Sequence, residues 1–301
     1  MKRLVYISVF ILLSQLGFAQ QDALYSQYMH NPFMYNPAYA GSRNTLSGTI
    51  SSRKQWKFIP GNPKTYSLNF HSPIKNEKMA IGINILSDAL GPQKNLAMLA
   101  TYAYHLKFRA GILSLGLRAG VYSYRLDRSQ LNFRDQRDTH ISANMSSKTL
   151  PTFDFGAYYY TKSFYAGVAV AHIAPVNINY TNNYEMRLNR HYYVHMGKAF
   201  RITDYFLVKP STLVRIVPGA PVNYDLTLMM LFQKVFWFGT SYRSSGDLIL
   251  IFEVNIGDFM RVGHANDFLS LAKVGSGGTN EIFIGVDIRQ RKKKVVSPRY
   301  L

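Results

Sequence analysis

The chain has 301 residues, of which 17% are charged and 14% aromatic, with a formal net charge of +19 and no cysteine. Charged residues usually make up about 25% of a soluble domain, so this surface is short of charge and points to a face that meets lipid. The missing thiols exclude disulfides, thiolate metal sites and anchoring through a lipidated cysteine.

Lys2 and Arg3 precede an apolar run over residues 4–13, and Gly17 and Ala19 precede Gln20. This is the pattern of a secretory signal cut near Ala19, so residues 1–19 are read as a targeting segment outside the fold. The run is too short for a spanning helix, which needs about 20 apolar residues. An exported chain seldom meets nucleic acid, so the basic excess is not read as a nucleic-acid footprint. Residues 20–43 form an amino-terminal lead or plug rich in Asn-Pro and Pro-Ala steps. Proline holds the residue before it in extended or turn geometry, which predicts a rigid, non-helical lead. It is either a periplasmic stopper packed into the base of the main fold or an interaction strand for a cargo or an apparatus subunit.

From Thr45 onward apolar and polar residues alternate, the period-2 signature of strands with two unlike faces. Val222, Tyr224, Leu226, Leu228 and Met230 share one face, with Asn223, Asp225 and Thr227 on the other. About fourteen such segments are predicted, near 44–52, 64–72, 79–88, 95–107, 111–125, 152–161, 163–172, 190–200, 204–217, 221–232, 235–243, 246–256, 259–267 and 280–289. Most are close to the 9–11 residues or so of a tilted strand crossing a bilayer. The connections 53–63, 126–151, 173–189 and 268–279 are long, and all fall on odd-numbered hairpins, whereas 161–163, 201–203 and 233–234 are tight. Bacterial outer-membrane barrels have this asymmetry, with short periplasmic turns and longer outer loops. The expectation is therefore an all-β transmembrane antiparallel barrel of about fourteen strands over residues 44–289. A soluble β-sandwich with exposed aromatics is the alternative fold.

The polar faces carry Arg118, Asp154, Lys209, Arg215, Asp225, Arg243, Glu253 and Asp287. Unpaired charges are costly in a dry sandwich core, and a wet barrel interior accepts them. No Gly-x-Ser-x-Gly elbow and no His-Glu-x-x-His helix is present. His191 and His195 share a strand face but stand roughly 13 Å apart by rise, too far to hold one metal, and are read as lumen histidines. No catalytic, cofactor or metal residue is assigned, and the chain is not read as an enzyme. Residues 290–301 form a basic tail, either solvated or docking, with an even strand count placing both termini on the periplasmic side.

Particular residues carry a resemblance. The run Gln27-Tyr28-Met29-His30-Asn31-Pro32, followed by Tyr35-Asn36-Pro37-Ala38-Tyr39-Ala40-Gly41-Ser42, resembles the opening of the PorP/SprF family. Arg53-Lys54-Gln55-Trp56, Pro60-Gly61-Asn62-Pro63, Val217-Pro218-Gly219-Ala220-Pro221 and the ending Lys292-Lys293-Lys294-Val295-Val296-Ser297-Pro298-Arg299-Tyr300 are similar in the same order. The stretch from Arg261 to Gly275 departs from the usual pattern, and Leu301 stands where an aromatic is expected.

The resemblance implies an outer-membrane component of the type IX secretion system that assists secretion or surface attachment of cargo such as adhesins, or supports gliding. Implied partners are periplasmic ring or peptidoglycan-linked subunits, secreted adhesin cargo and the lipid bilayer, with no cofactor and no nucleic acid. A passive outer-membrane channel is the alternative function. The interaction candidates are Asn31, Pro32, Asn36, Pro37, Ala38 and Gly41 in the lead. Arg53, Gln55 and Trp56 are candidates in the first long loop, where Trp56 is either an interface anchor or a membrane-belt residue. Lys292, Lys293, Lys294, Ser297, Pro298, Arg299 and Tyr300 are candidates in the tail.

Overall fold

Alternation in the sequence becomes alternation in burial. Asp225, Thr227 and Met229 are buried, while the intervening Leu226 is 54% exposed, and Ile50 (58%) and Leu117 (60%) are likewise turned out. Large aliphatic residues this exposed, in strand after strand, form an outward belt suited to hydrocarbon. These features belong to a computed structural model, which describes residues 24–74, 77–127, 146–174, 177–181, 184–268 and 277–288.

The strands in chain order are β1 (Leu46–Lys54), β2 (Lys64–Ile74), β3 (Met79–Leu90), β4 (Gln93–Lys107), β5 (Ile112–Leu126), β6 (Ser146–Tyr160) and β7 (Phe164–Ala171). A small hairpin follows, β8 (Asn177–Thr181) and β9 (Tyr184–Arg187), then β10 (His191–Lys198) and its two-residue continuation β11 (Phe200–Arg201). The chain ends with β12 (Phe206–Ile216), β13 (Asn223–Phe232), β14 (Phe236–Arg243), β15 (Leu248–Ile256), β16 (Met260–Phe268) and β17 (Thr279–Ile288). Neighbouring barrel strands pair antiparallel: β1 to β7 in sequence order, β7 with β10 across the small hairpin, β10 and β11 with β12, β12 to β17 in sequence order, and β1 with β17 from Leu46↔Ile288 to Lys54↔Asn280. The result is a closed barrel of fourteen strands. Closure satisfies the edge groups that lipid could not, which is what lets strands cross a membrane.

Three local expectations are corrected. Arg53 and Lys54 belong to β1 instead of the first loop, because the inward series Ser47, Thr49, Ser51 continues to Arg53. Strand β6 begins at Ser146, ahead of residue 152, since its ladder with β5 runs on to Leu126↔Ser146. The connection after β7 carries the hairpin β8–β9 as a separate two-stranded sheet.

The strand ends that flank the long connections, Lys54 and Lys64, Leu126 and Ser146, Ala171 and His191, and Phe268 and Thr279, share one end of the barrel, and the strand ends that flank the short turns after β2, β4, β6, β11, β13 and β15 share the other. Among the described residues no helix is long and apolar enough to cross a membrane. The lead is also not free of helix: it makes two 3-10 turns, η1 (Pro32–Met34) and η2 (Pro37–Tyr39), each opened by an Asn-Pro step. The expectation from proline alone missed that its preset φ and absent N–H suit the first position of a helical turn.

Candidate functional site

The barrel interior is filled by the lead. Residues 25–30 and 35–43 are buried throughout, and their partners come from strands around the whole wall. The lead begins level with the far ends of β1, β14 and β16, where Ser26 and Gln27 donate their backbone N–H groups to the two oxygens of Glu281 at 2.7 and 3.1 Å. Arg53 ties this point together, donating to Ser26 Oγ (2.6 Å), Glu281 (3.1 Å) and Asp267 (2.9 Å). Arg243 donates to the Tyr25 carbonyl at 3.3 Å and to Asp225 at 2.8 Å, and Arg215 also pairs with Asp225.

From there the chain descends. Tyr28 donates its hydroxyl to Thr227 at 3.1 Å, and His30 Nδ1 lies 2.6 Å from the Glu253 carboxylate. Burial pushes the His30 imidazole below the ordinary histidine range, against the pull of Glu253. Midway, Arg118 bonds Asp154 at 2.7 Å and donates to the carbonyls of Phe33 and Met34, each at 3.1 Å. At the short-turn end Arg43 pairs with Asp287 at 2.9 Å, and Gly41 N donates to His71 Nδ1 at 3.2 Å. These interior charges therefore meet one another and the lead's backbone, while the Lys209 ammonium lies 5.0 Å from the Trp237 ring centroid. Between the lead and the wall a cleft of about 80 Å³ remains, lined by Tyr25, Tyr35, Asn84, Tyr122 and Tyr193 among others.

Asn36 is the centre of the packing. Its side-chain oxygen accepts from Ala38 N at 2.9 Å, capping η2, and its amide donates to the wall carbonyls of Ala157 (3.0 Å) and Val168 (3.3 Å), with His195 Nε2 at 3.1 Å. The wall is hollowed to receive it. A Cβ at Gly156 would meet Asn36 Oδ1 at 2.0 Å, one at Gly116 would meet Ala38 N at 2.3 Å, and one at Gly82 would meet Phe33 at 2.5 Å. Gly116 and Gly156 face each other across β5 and β6.

The structure thus brings Asn36, Pro37, Ala38 and Gly41 together in the lumen with the buried Pro32 and half-buried Asn31, and adds Arg53 to them. Gln55 and Trp56 lie apart at the rim. Their loop closes on itself through Gln55 N to Pro63 O (3.0 Å) and is pinned by Lys57 N to Gly278 O (3.2 Å). Trp56 is half-buried there, and the residue presented outward is Phe58, 76% exposed, which sequence reasoning missed. Lys292, Lys293, Lys294, Ser297, Pro298, Arg299 and Tyr300 lie outside the described residues, as do residues 1–19. Ser26, Gln27, His30 and Arg43 were also missed as lead anchors. The inward-phase glycines of β3, β5 and β6 were a signal, since that phase otherwise carries bulk.

A closed antiparallel barrel with an apolar outer belt, a charged interior and its own amino-terminal segment in the lumen is a protein of the outer-membrane type. The chain belongs to the family described as Type IX secretion system membrane protein PorP/SprF, whose family model matches residues 17–286, which places it in the outer membrane. No curated protein matches it by sequence. Among solved structures it is similar to the outer membrane protein Omp33 of Acinetobacter baumannii, at 9% identity over 82% of this chain and 99% of that one, TM-score 0.47. It is also similar to the CymD monoaromatic hydrocarbon channel, at 13% identity over 90% and 94%, TM-score 0.49. A third is the toluene transporter TodX of Pseudomonas putida, at 8% identity over 89% and 95%, TM-score 0.45.

Proposed function

We propose that the chain is a non-conducting outer-membrane scaffold of type IX secretion, assisting the export or surface attachment of cargo such as adhesins, and that the lead is its plug. The observation that carries this is the lumen itself. A passive channel needs an open path, whereas here Ser26, Gln27, His30 and Asn36 are bonded or paired to residues around the wall. By analogy with other barrels, the long connections face outward and the short turns face the periplasm. Residue 288 then lies on the periplasmic side, where the basic tail meets ring-forming or peptidoglycan-linked subunits through charge complementarity, which governs encounter and register.

The test joins two measurements on the full protein. Affinity purification from gently solubilised outer membranes is expected to bring down secretion subunits or a large adhesin, and the purified barrel is expected to give no steady current in planar bilayers. Steady conductance with no co-purifying secretion component would replace this reading with the passive channel. Deleting residues 290–301 is expected to leave the barrel inserted while impairing export, and normal export by that deletion would remove the tail from the mechanism.

A further inference from the structure

The outer surface is not uniformly convex. A concavity of about 530 Å³ opens on the lipid-facing side of the wall, across β10 to β15. Its floor follows one row of direct cross-strand partners, Met196↔Thr212↔Leu226↔Tyr242↔Leu248. Four inter-strand spacings of about 4.8 Å make this row roughly 19 Å long. The hollow has a cause in the backbone. Pro210 has no N–H to give the ladder, and the pairing of β10 with β12 stops at Gly197↔Ser211 and resumes only at Phe200↔Val208. Small residues back the gap: Gly197, Ser211 and Thr227 line it from the wall, and Thr227 carries Tyr28 of the lead on its inner side.

We propose that this trough seats one acyl chain of a membrane phospholipid, with Lys198 holding the headgroup phosphate. A void in the hydrocarbon region forfeits dispersion contacts along its whole lining and cannot be filled by water. The filling is therefore apolar, as the exposed Met196, Leu226, Leu228 and Leu248 require. Lys198 is the last residue of β10 and is exposed, with its ammonium 5.0 Å from the Phe200 ring centroid. It stands at the short-turn end of the trough, where a long basic side chain reaches the interface. A phosphate there meets a positive charge, and the tail then rises along the trough toward Leu248.

The experiment uses the full protein in vesicles of phosphatidylethanolamine and phosphatidylglycerol doped with a phospholipid carrying a photoactivatable diazirine in its acyl chain. Crosslinks are expected at Met196, Leu226 and Leu228 several-fold above those at Leu117, which is equally turned to lipid on another part of the wall. Native mass spectrometry after detergent extraction is expected to find one retained phospholipid. Leu228→Trp, which fills the trough, is expected to abolish retention, and Lys198→Gln to lower retained phosphatidylglycerol about fivefold. Both side chains point away from the interior, and heat-modifiable migration on gels verifies that the variants fold. Equal labelling at Leu117, or retention undiminished in folded Leu228→Trp, overturns the proposal.

Discussion

Asn36 shows how much of the interior hangs on single side chains. One amide caps η2 and donates to two wall carbonyls, so Asn36→Ala is expected to cost about 2–3 kcal/mol of lead docking. The readout is faster proteolysis of the lead with the barrel's gel shift retained. Gly156→Val drives a side chain into the space of Asn36 Oδ1; the expected result is a displaced lead and a steady bilayer current above that of the unsubstituted protein. Arg53→Ala removes the guanidinium that pairs with both buried carboxylates, leaving Glu281 the two lead N–H groups and Asp267 the Ser26 hydroxyl and a longer pair with Arg243 at 3.6 Å, and is expected to cost roughly 3 kcal/mol, because a buried pair loses one partner. Its measure is the denaturant midpoint of the barrel, with Arg53→Lys intermediate. The inward phase of Arg53 could be read from Ser47, Thr49 and Ser51. That its partners are Asp267 and Glu281, more than two hundred residues away in sequence, could not, since closure of β1 on β17 is what brings them near.

At the scale of elements, strand existence was legible and strand ends less so. Alternation located all fourteen barrel strands because a sheet with one lipid face and one packed face imposes period two on the sequence. Ends at Lys54 and Ser146 were missed because ladders run as far as a partner strand remains, which depends on the neighbour. The Asn-Pro steps of the lead were legible as constraints, yet their outcome as 3-10 turns was settled by the pocket that receives them. Hairpin β8–β9 bonds within its own sheet. Replacing residues 177–187 by a Gly/Ser linker is therefore expected to leave the heat-modifiable shift and denaturant midpoint of the barrel unchanged.

For the whole molecule, the direction of the lead has the widest consequence. Sequence counting set both termini on the periplasmic side, and the termini themselves lie outside the described residues; the described lead begins at Leu24 level with Arg53, Arg243 and Asp267, at the end of the long connections, and descends to Gly41 beside Ala80. The chain contains no cysteine, so single substitutions report accessibility cleanly. With the long connections outward, Leu24→Cys is expected to react with a membrane-impermeant maleimide on intact cells, and Lys78→Cys, in a short turn, only after the outer membrane is opened. Labelling of Lys78→Cys alone on intact cells would reverse the orientation.

Composition, period-two patterning and unequal connections by themselves determined an antiparallel membrane barrel of fourteen strands, because hydrocarbon outside and polar groups inside are local demands written at every second residue. The occupied lumen was decided only by the tertiary structure. Ser26 meeting Glu281, Asn36 meeting Val168, and Gly116 facing Gly156 each depend on closure and register, and these are long-range contacts that no window along the chain contains.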